Sequence, residues 1–194
     1  MIEIGRVALA QIQRSSLKVG QKPFRYYDPA PLLAVPRLRL TPSGAVGISG
    51  DDELLDVHNR QHAATRNQGP NSLSFGFTSH YAAMRDRFGQ HLADGVAGEN
   101  ILIASERAFA LADLGAALLI RGDDGREARL TDLIVAAPCV EFSQFACLAD
   151  GPLTPEQLRA ALQFLNDGVR GFYARLADGP GAEVRPGDRV FVVA

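Results

Sequence analysis

Leu38-Arg39-Leu40-Thr41-Pro42-Ser43-Gly44-Ala45-Val46-Gly47-Ile48 decides the fold of this 194-residue chain. Apolar residues flank a Thr-Pro-Ser-Gly turn, in which Pro presets φ and Gly tolerates a positive one, so the segment reads as a β-hairpin. On its N-terminal side, Leu32 to Leu40 is extended but carries Pro36. A residue without an N–H suits an edge strand or a bulge, not a central strand. Ile2 to Gln13 alternates around Ile4, Arg6, Ala8 and Ala10 and gives a further strand. The first quarter of the chain is β-rich.

On the C-terminal side, Ser49 to Asn71 is polar, and a long polar loop of this kind carries function or motion. Ser79 is placed to cap a helix whose apolar face is Tyr81, Met84 and Phe88, with Gly89 closing it. Ile101-Leu102-Ile103 is strand-like. Ala116 to Ile120, the turn Gly122-Asp123-Asp124-Gly125 and Arg126 to Ala137 form a second hairpin. A helix runs from Pro155 to Asn166, with Thr154 as cap, Gln157 completing a capping box, and Leu158, Leu162 and Leu165 as its apolar face. Gly171 to Ala177, a Gly179-Pro180-Gly181 turn and Val190 to Val193 return to β. Many short strands with a few inserted helices describe a mainly β, α+β domain of β-barrel type, one domain over residues 1–194.

Composition narrows the function classes. Apolar residues at 46% and charged residues at 22% support a real core and exclude disorder. A formal charge of -2 gives no basic field, so neither nucleic acid nor an anionic membrane is the expected partner. A small molecule is. All but two of the 20 basic side chains, Lys18 and Lys22, are arginines, donors suited to bidentate anion contacts. Met1-Ile2-Glu3-Ile4 lacks the basic and apolar regions of a signal peptide, and no apolar run is long enough to cross a bilayer. The expectation is a soluble protein of a reducing cytoplasm with Cys139 and Cys147 as free thiols.

Several residues are candidates for chemistry. Cys139 follows Pro138 at a strand end beside Glu141, where a thiolate can meet a ligand; the alternative is a small buried apolar residue. Cys147, without C-x-x-C spacing, reads as structural. His58 and His62 have the spacing of a zinc pair but no glutamate between them and no clear third ligand, so a solvated polar loop is the competing reading. His80 and His91 read as helix-end or surface histidines. Glu99 and Asn100 enter an apolar strand and need partners, either backbone or ligand. Arg170, between Gly168 and Gly171, is placed either to meet an oxyanion or to sit on the surface after a helix cap. Arg185-Pro186-Gly187-Asp188 reads as a turn.

Taken in order, Gly47-Ile48-Ser49-Gly50-Asp51, Gly95-Val96-Ala97-Gly98-Glu99-Asn100-Ile101, Ala137-Pro138-Cys139, Gly168-Val169-Arg170-Gly171-Phe172-Tyr173 and Val184-Arg185-Pro186-Gly187-Asp188 resemble the MOSC domain, named from the C-terminal domain of molybdenum cofactor sulfurase. The resemblance covers about Leu38 to Val193. It implies a β-barrel fold with a pocket for molybdenum cofactor or another sulfur-linked ligand. Cys139 corresponds to the family's Pro-Cys cysteine, a sulfur carrier or molybdenum ligand, consistent with the preference of such metals for thiolate. Arg170 and the Gly171 amide would hold the cofactor's phosphate, with Gly98, Glu99 and Asn100 forming the pocket wall. Relatives include stand-alone bacterial proteins and reductases of N-hydroxylated compounds. A sulfur donor or a redox protein would be the macromolecular partner. The chain departs from the pattern at Ala136-Ala137, where many members have Arg, and at Asn67-Gln68-Gly69-Pro70, where they have His-Gly-Gly. The alternative function is a non-catalytic β-barrel binding or interaction module with a structural cysteine.

Overall fold

The computed structural model describes residues 1–148, 151–177, 179 and 181–193. Its N-terminal half runs β1 (Ile2–Gln13), β2 (Lys18–Val19), β3 (Tyr26–Tyr27), β4 (Leu32–Ala34), β5 (Arg37–Thr41), β6 (Gly44–Ser49), β7 (Asp52–Leu55), β8 (Leu73–Phe77) and α1 (Thr78–Phe88). The remainder runs β9 (Ile101–Ala104), β10 (Ala117–Arg121), β11 (Glu127–Val135), α2 (Val140–Ala146), α3 (Pro155–Leu165), β12 (Phe172–Leu176), β13 (Ala182–Val184) and β14 (Arg189–Val193).

Seven strands close a barrel in the order β14-β10-β11-β12-β8-β9-β1, with β1 pairing back onto β14. Closure removes the unpaired edges that an open sheet would expose. Every pairing in the ring is antiparallel except β8–β9, where Phe75 faces Ile101 and Phe77 faces Ile103. Parallel neighbours need a crossover, and α1 with the Gly95–Asn100 segment supplies it. The interior holds Val7, Leu73, Phe75, Phe77, Ile101, Ile103, Leu118, Leu130, Phe172 and Val190, all at most 2% exposed. Phe172 stacks on Phe75 with ring centroids 5.2 Å apart. A four-stranded sheet, β13-β5-β6-β7, contributes Leu38, Leu40, Ala45 and Val184 to the same core. Under the three helices lies a second apolar cluster that includes Tyr81, Met84, Leu92, Phe142 and Leu165.

Both expected hairpins are present, with Leu38 opposite Gly47 in one and Leu118 opposite Leu130 in the other. The Gly179-Pro180-Gly181 turn falls partly outside the described residues. Elsewhere the structure corrects the expectation. Leu32 to Leu40 is two strands, because Pro36 breaks the run and lets β4 pair with β1 while β5 joins the other sheet. The polar stretch after Ser49 begins with a strand, β7, and only then becomes turns. Helix α1 starts at Thr78, directly out of β8, with Phe77 as its cap position and no side-chain cap. Ser79 instead donates its hydroxyl to the Arg107 carbonyl at 2.9 Å, so tertiary contact replaced the cap. His80 is no surface residue: it is 3% exposed, Nε2 accepts from the Phe109 amide, and burial lowers its pKa. His91 is half-buried, and neither ring nitrogen has a partner among the described residues. Asp188 does more than turn the chain: it accepts from the Arg185 amide at 2.8 Å and lies 3.2 Å from the Arg126 guanidinium.

The capping box of α3 forms as its sequence requires, Thr154 Oγ1 accepting from the Gln157 amide at 3.2 Å and Gln157 Oε1 accepting from the Thr154 amide at 3.0 Å. Thr154→Ala is therefore expected to lower stability by about 1 kcal/mol in chemical denaturation, while a fall under about 0.3 kcal/mol would show the cap to be energetically idle.

Candidate functional site

A cavity of about 380 Å³ opens between the mouth of the barrel and α2. That volume lies within the roughly 300–1,000 Å³ span of small-molecule sites. Its wall brings together three of the residues expected from the sequence, Gly98, Cys139 and Arg170. Each arrives from a different element: Gly98 from the loop into β9, Cys139 from the N-terminal boundary of α2, and Arg170 from the turn between α3 and β12. Cys139 is half-exposed and its carbonyl accepts from the Ser143 amide and hydroxyl, which fixes the first turn of α2. The seven-residue helix itself was not expected, since Val140 to Ala146 is too short for a clear 3.6-residue period.

Arg170 is part-buried, with its guanidinium over the face of Phe142 at 5.3 Å. Among the described residues no carboxylate lies within 4 Å of it and no side-chain hydrogen bond satisfies it. Burial disfavours the Arg170 charge, yet the Glu99 carboxylate together with Tyr27, Tyr173 and Tyr81 more than offsets this and the pKa is raised. An arginine at a cavity wall with no acid partner keeps its donor fork free for an anion.

Glu99 and Asn100 do not line the cavity; they are the floor under it. Glu99, 1% exposed, accepts from the Tyr81 hydroxyl at 2.7 Å, and that oxygen accepts from the Ala97 amide at 2.9 Å. Asn100, 2% exposed, joins β1 and β8: its Oδ1 accepts from the Ser74 amide and its Nδ2 donates to the Gln11 carbonyl at 3.3 Å and to Asp56 at 3.0 Å. The partners these polar groups require are thus protein groups. Gly171 is buried behind Arg170, its amide donating to the Gly168 carbonyl at 2.8 Å. Gly98 has φ +91° and a Cβ there would meet Gln13 and Leu17, so only glycine lets the chain run this close to β1.

Burial raises the pKa of Glu99, with Arg170 and the Tyr81 hydrogen bond opposing it incompletely. The folded state thus keeps a proton that the unfolded chain has already released, so stability is full below the ordinary carboxylate range and falls as pH rises through the higher folded value. Glu99→Gln is expected to remove this fall, with a slope difference of up to about 1.4 kcal/mol per pH unit for one proton. Denaturation curves of the two proteins that run parallel with pH would contradict it.

The remaining lining comes from residues the sequence gave no reason to join. Lys18 and Arg25 reach in from the hairpin of β2 and β3, and both pair with Glu141 of α2. Burial works against the Glu141 carboxylate, but its own backbone amide and the Arg25, Lys18 and Cys139 side chains hold its pKa below the ordinary value. Arg66, Gln68 and Asn71 come from the polar loop, and Tyr27 and Tyr173 from strands. The one legible signal was the polarity of Ser49 to Asn71, which named a region but no partner. No three His, Cys, Asp or Glu side chains cluster among the described residues. His58 Nδ1 is on Asp56 and His62 Nε2 on the Arg14 carbonyl, so the two do not form the zinc pair their spacing allowed. Cys147 lines a different groove, beside Arg87 and Phe88, and burial pushes its thiol up.

No family model and no curated protein matches the chain. Solved structures do. The YuaD protein from Bacillus subtilis superimposes with a TM-score of 0.58 at 12% identity, over 98% of this chain and 94% of that one. A protein described as hypothetical gives a TM-score of 0.50 at 13% identity, over 97% of this chain and 68% of that one. At such identities the likeness is one of fold. No helix of the described residues is long and apolar enough to cross a membrane.

Proposed function

We propose that this is a stand-alone MOSC-type protein whose cavity binds a phosphate-bearing, sulfur-linked ligand of the molybdenum cofactor class, with Cys139 as metal ligand or sulfur carrier. One observation carries the reading: Cys139 and Arg170, far apart in sequence, line the same cavity, and Arg170 has no acid partner within 4 Å among the described residues. The donor set fits the cofactor. A single thiol is a soft ligand for molybdenum, while the Arg170 guanidinium suits a phosphate. Arg66, with no acid within 4 Å among the described residues, supplies positive charge where Ala136-Ala137 does not.

Bound there, the cofactor would supply two-electron redox chemistry of the kind that reduces N-hydroxylated compounds. This chain's own residues would bind and orient it. Arg170 would hold the anionic end, and the loop bearing Lys18 and Arg25, tied to Glu141, would shield one side from water. In the sulfur-carrier version, the half-exposed Cys139 thiolate attacks the terminal sulfur of a donor persulfide. The new S–S bond leaves Cys139 as persulfide and the donor as thiolate.

Mass spectrometry after incubation with a persulfide donor is expected to show a labile sulfur adduct on Cys139 and none on Cys147. The second reading, a binding module with a structural thiol, is favoured by one contact: Cys139 also packs against the apolar cluster under the helices. Thiol-reagent labelling separates the two. Rapid, selective modification of Cys139 in the native protein supports the first, and an inert Cys139 supports the second.

A further inference from the structure

The proposed function leaves one pair at the cavity unused. Asp56 is fully buried, and its carboxylate accepts from the backbone amides of Gln13 and His58, each at 2.7 Å, and from Asn100 Nδ2 at 3.0 Å. His58 Nδ1 lies 3.1 Å from the same carboxylate. A carboxylate held by fixed donors is an acceptor, so the pairing assigns the ring proton to Nδ1 and leaves Nε2 with its lone pair. Nε2 has no hydrogen-bond partner among the described residues, and it is not sealed from solvent. The ring lines the cavity that Cys139 and Arg170 share.

The charged side chains lining that cavity are all cationic: Lys18, Arg25, Arg66 and Arg170. Lys18 and Arg25 are occupied with Glu141, whereas Arg66 and Arg170 have no acid within 4 Å among the described residues. The other titratable groups facing the space are Cys139, Tyr27 and Tyr173. Neutral imidazole offers an anion only a lone pair, which repels it. Imidazolium offers an N–H at Nε2 while keeping the Nδ1–H on Asp56, so only the protonated ring donates to an anion oxygen.

We propose that the cavity takes a tetrahedral oxyanion and that its binding is coupled to protonation of His58. One proton from solvent forms the Nε2–H bond, that N–H donates to an anion oxygen, and no bond in the ligand breaks. The inference rests on the reading of the Cys139–Arg170 cavity as an anion site and adds a proton to it. A phosphate ester of a larger ligand and a free oxyanion share this chemistry.

Sulfate does not titrate near neutrality, so any proton taken up with it belongs to the protein. Histidine ring resonances followed by NMR against pH, at constant ionic strength, with and without saturating sulfate, measure the coupling; His58→Gln assigns the resonance. Sulfate is expected to raise the His58 midpoint by about one pH unit, with sulfate affinity falling about tenfold as pH rises through it. The affinity itself is read on the unmodified chain, so the test survives a misfolded variant. The same midpoint shift in Cys139→Ser is expected, and its loss there would assign the pH dependence to the thiol and overturn the coupling to His58. Methyl phosphate binding more tightly than sulfate supports an esterified ligand, and the reverse a free anion, both within the proposal. A midpoint moved by less than about 0.2 with sulfate bound overturns the proton coupling and leaves the anion site standing. Absence of sulfate binding, or binding indifferent to Arg170→Gln, overturns the anion site and the coupling with it.

Discussion

Arg170→Gln is expected to weaken oxyanion binding about 10–100-fold, the loss of one charge-assisted hydrogen bond at roughly 1.5–3 kcal/mol, while the protein stays folded. Arg170 is the one cationic side chain of the cavity set over Glu99, and among the described residues it has no ion pair within 4 Å to break. Its removal costs the ligand more than it costs the barrel. The fold still feels it through Glu99, whose carboxylate loses the opposing charge and moves further above its ordinary pKa, so stability falls more steeply with pH. Adding Glu99→Gln should restore the stability at neutral pH and leave the binding defect. Sulfate titration calorimetry and denaturation at several pH values check both parts. Unchanged affinity, or binding recovered in the double variant, would contradict the account.

Gly168→Ala is expected to be the most damaging single methyl group near the site, lowering stability by about 3 kcal/mol and Tm by about 6–12 °C. Gly168 has φ +99°, a conformation that costs any side chain, and a Cβ there would overlap the ring of Phe172. That ring is fully buried and stacked on Phe75, so it has nowhere to go. The Gly168 carbonyl also accepts from the Gly171 amide, closing the turn that presents Arg170. Weaker oxyanion binding should accompany the loss in stability, because the same turn sets both. Calorimetric melting that places the variant within about 2 °C of the parent would show that the turn can relax.

What could be read from the chain follows from how local each signal is. The hairpins and α3 rest on turn chemistry and capping within a few residues, so Thr41-Pro42-Ser43-Gly44 and Thr154 to Gln157 announced them correctly. Ser79 misled because a hydroxyl that fits a cap also fits the Arg107 carbonyl, and a strand running straight into a helix needs no cap side chain. The closure of β1 onto β14 pairs residues nearly the whole chain apart, a contact without local signature. The site divides in the same way. Cys139 and Arg170 stand out beside Pro and Gly, while His58 is placed at the cavity by Asp56, which is held by Gln13 of β1 and by Asn100. Glu99 and Asn100 were rightly expected to need partners, and the partners proved to be Tyr81, Ser74 and Asp56.

The most direct test of a cofactor-binding cavity at Cys139 and Arg170 is the molybdenum and pterin content of the purified protein after expression with cofactor biosynthesis intact. The account predicts both, in comparable amounts, in the parent protein, with molybdenum or pterin lowered in Cys139→Ala. Neither molybdenum nor pterin in either protein would contradict it.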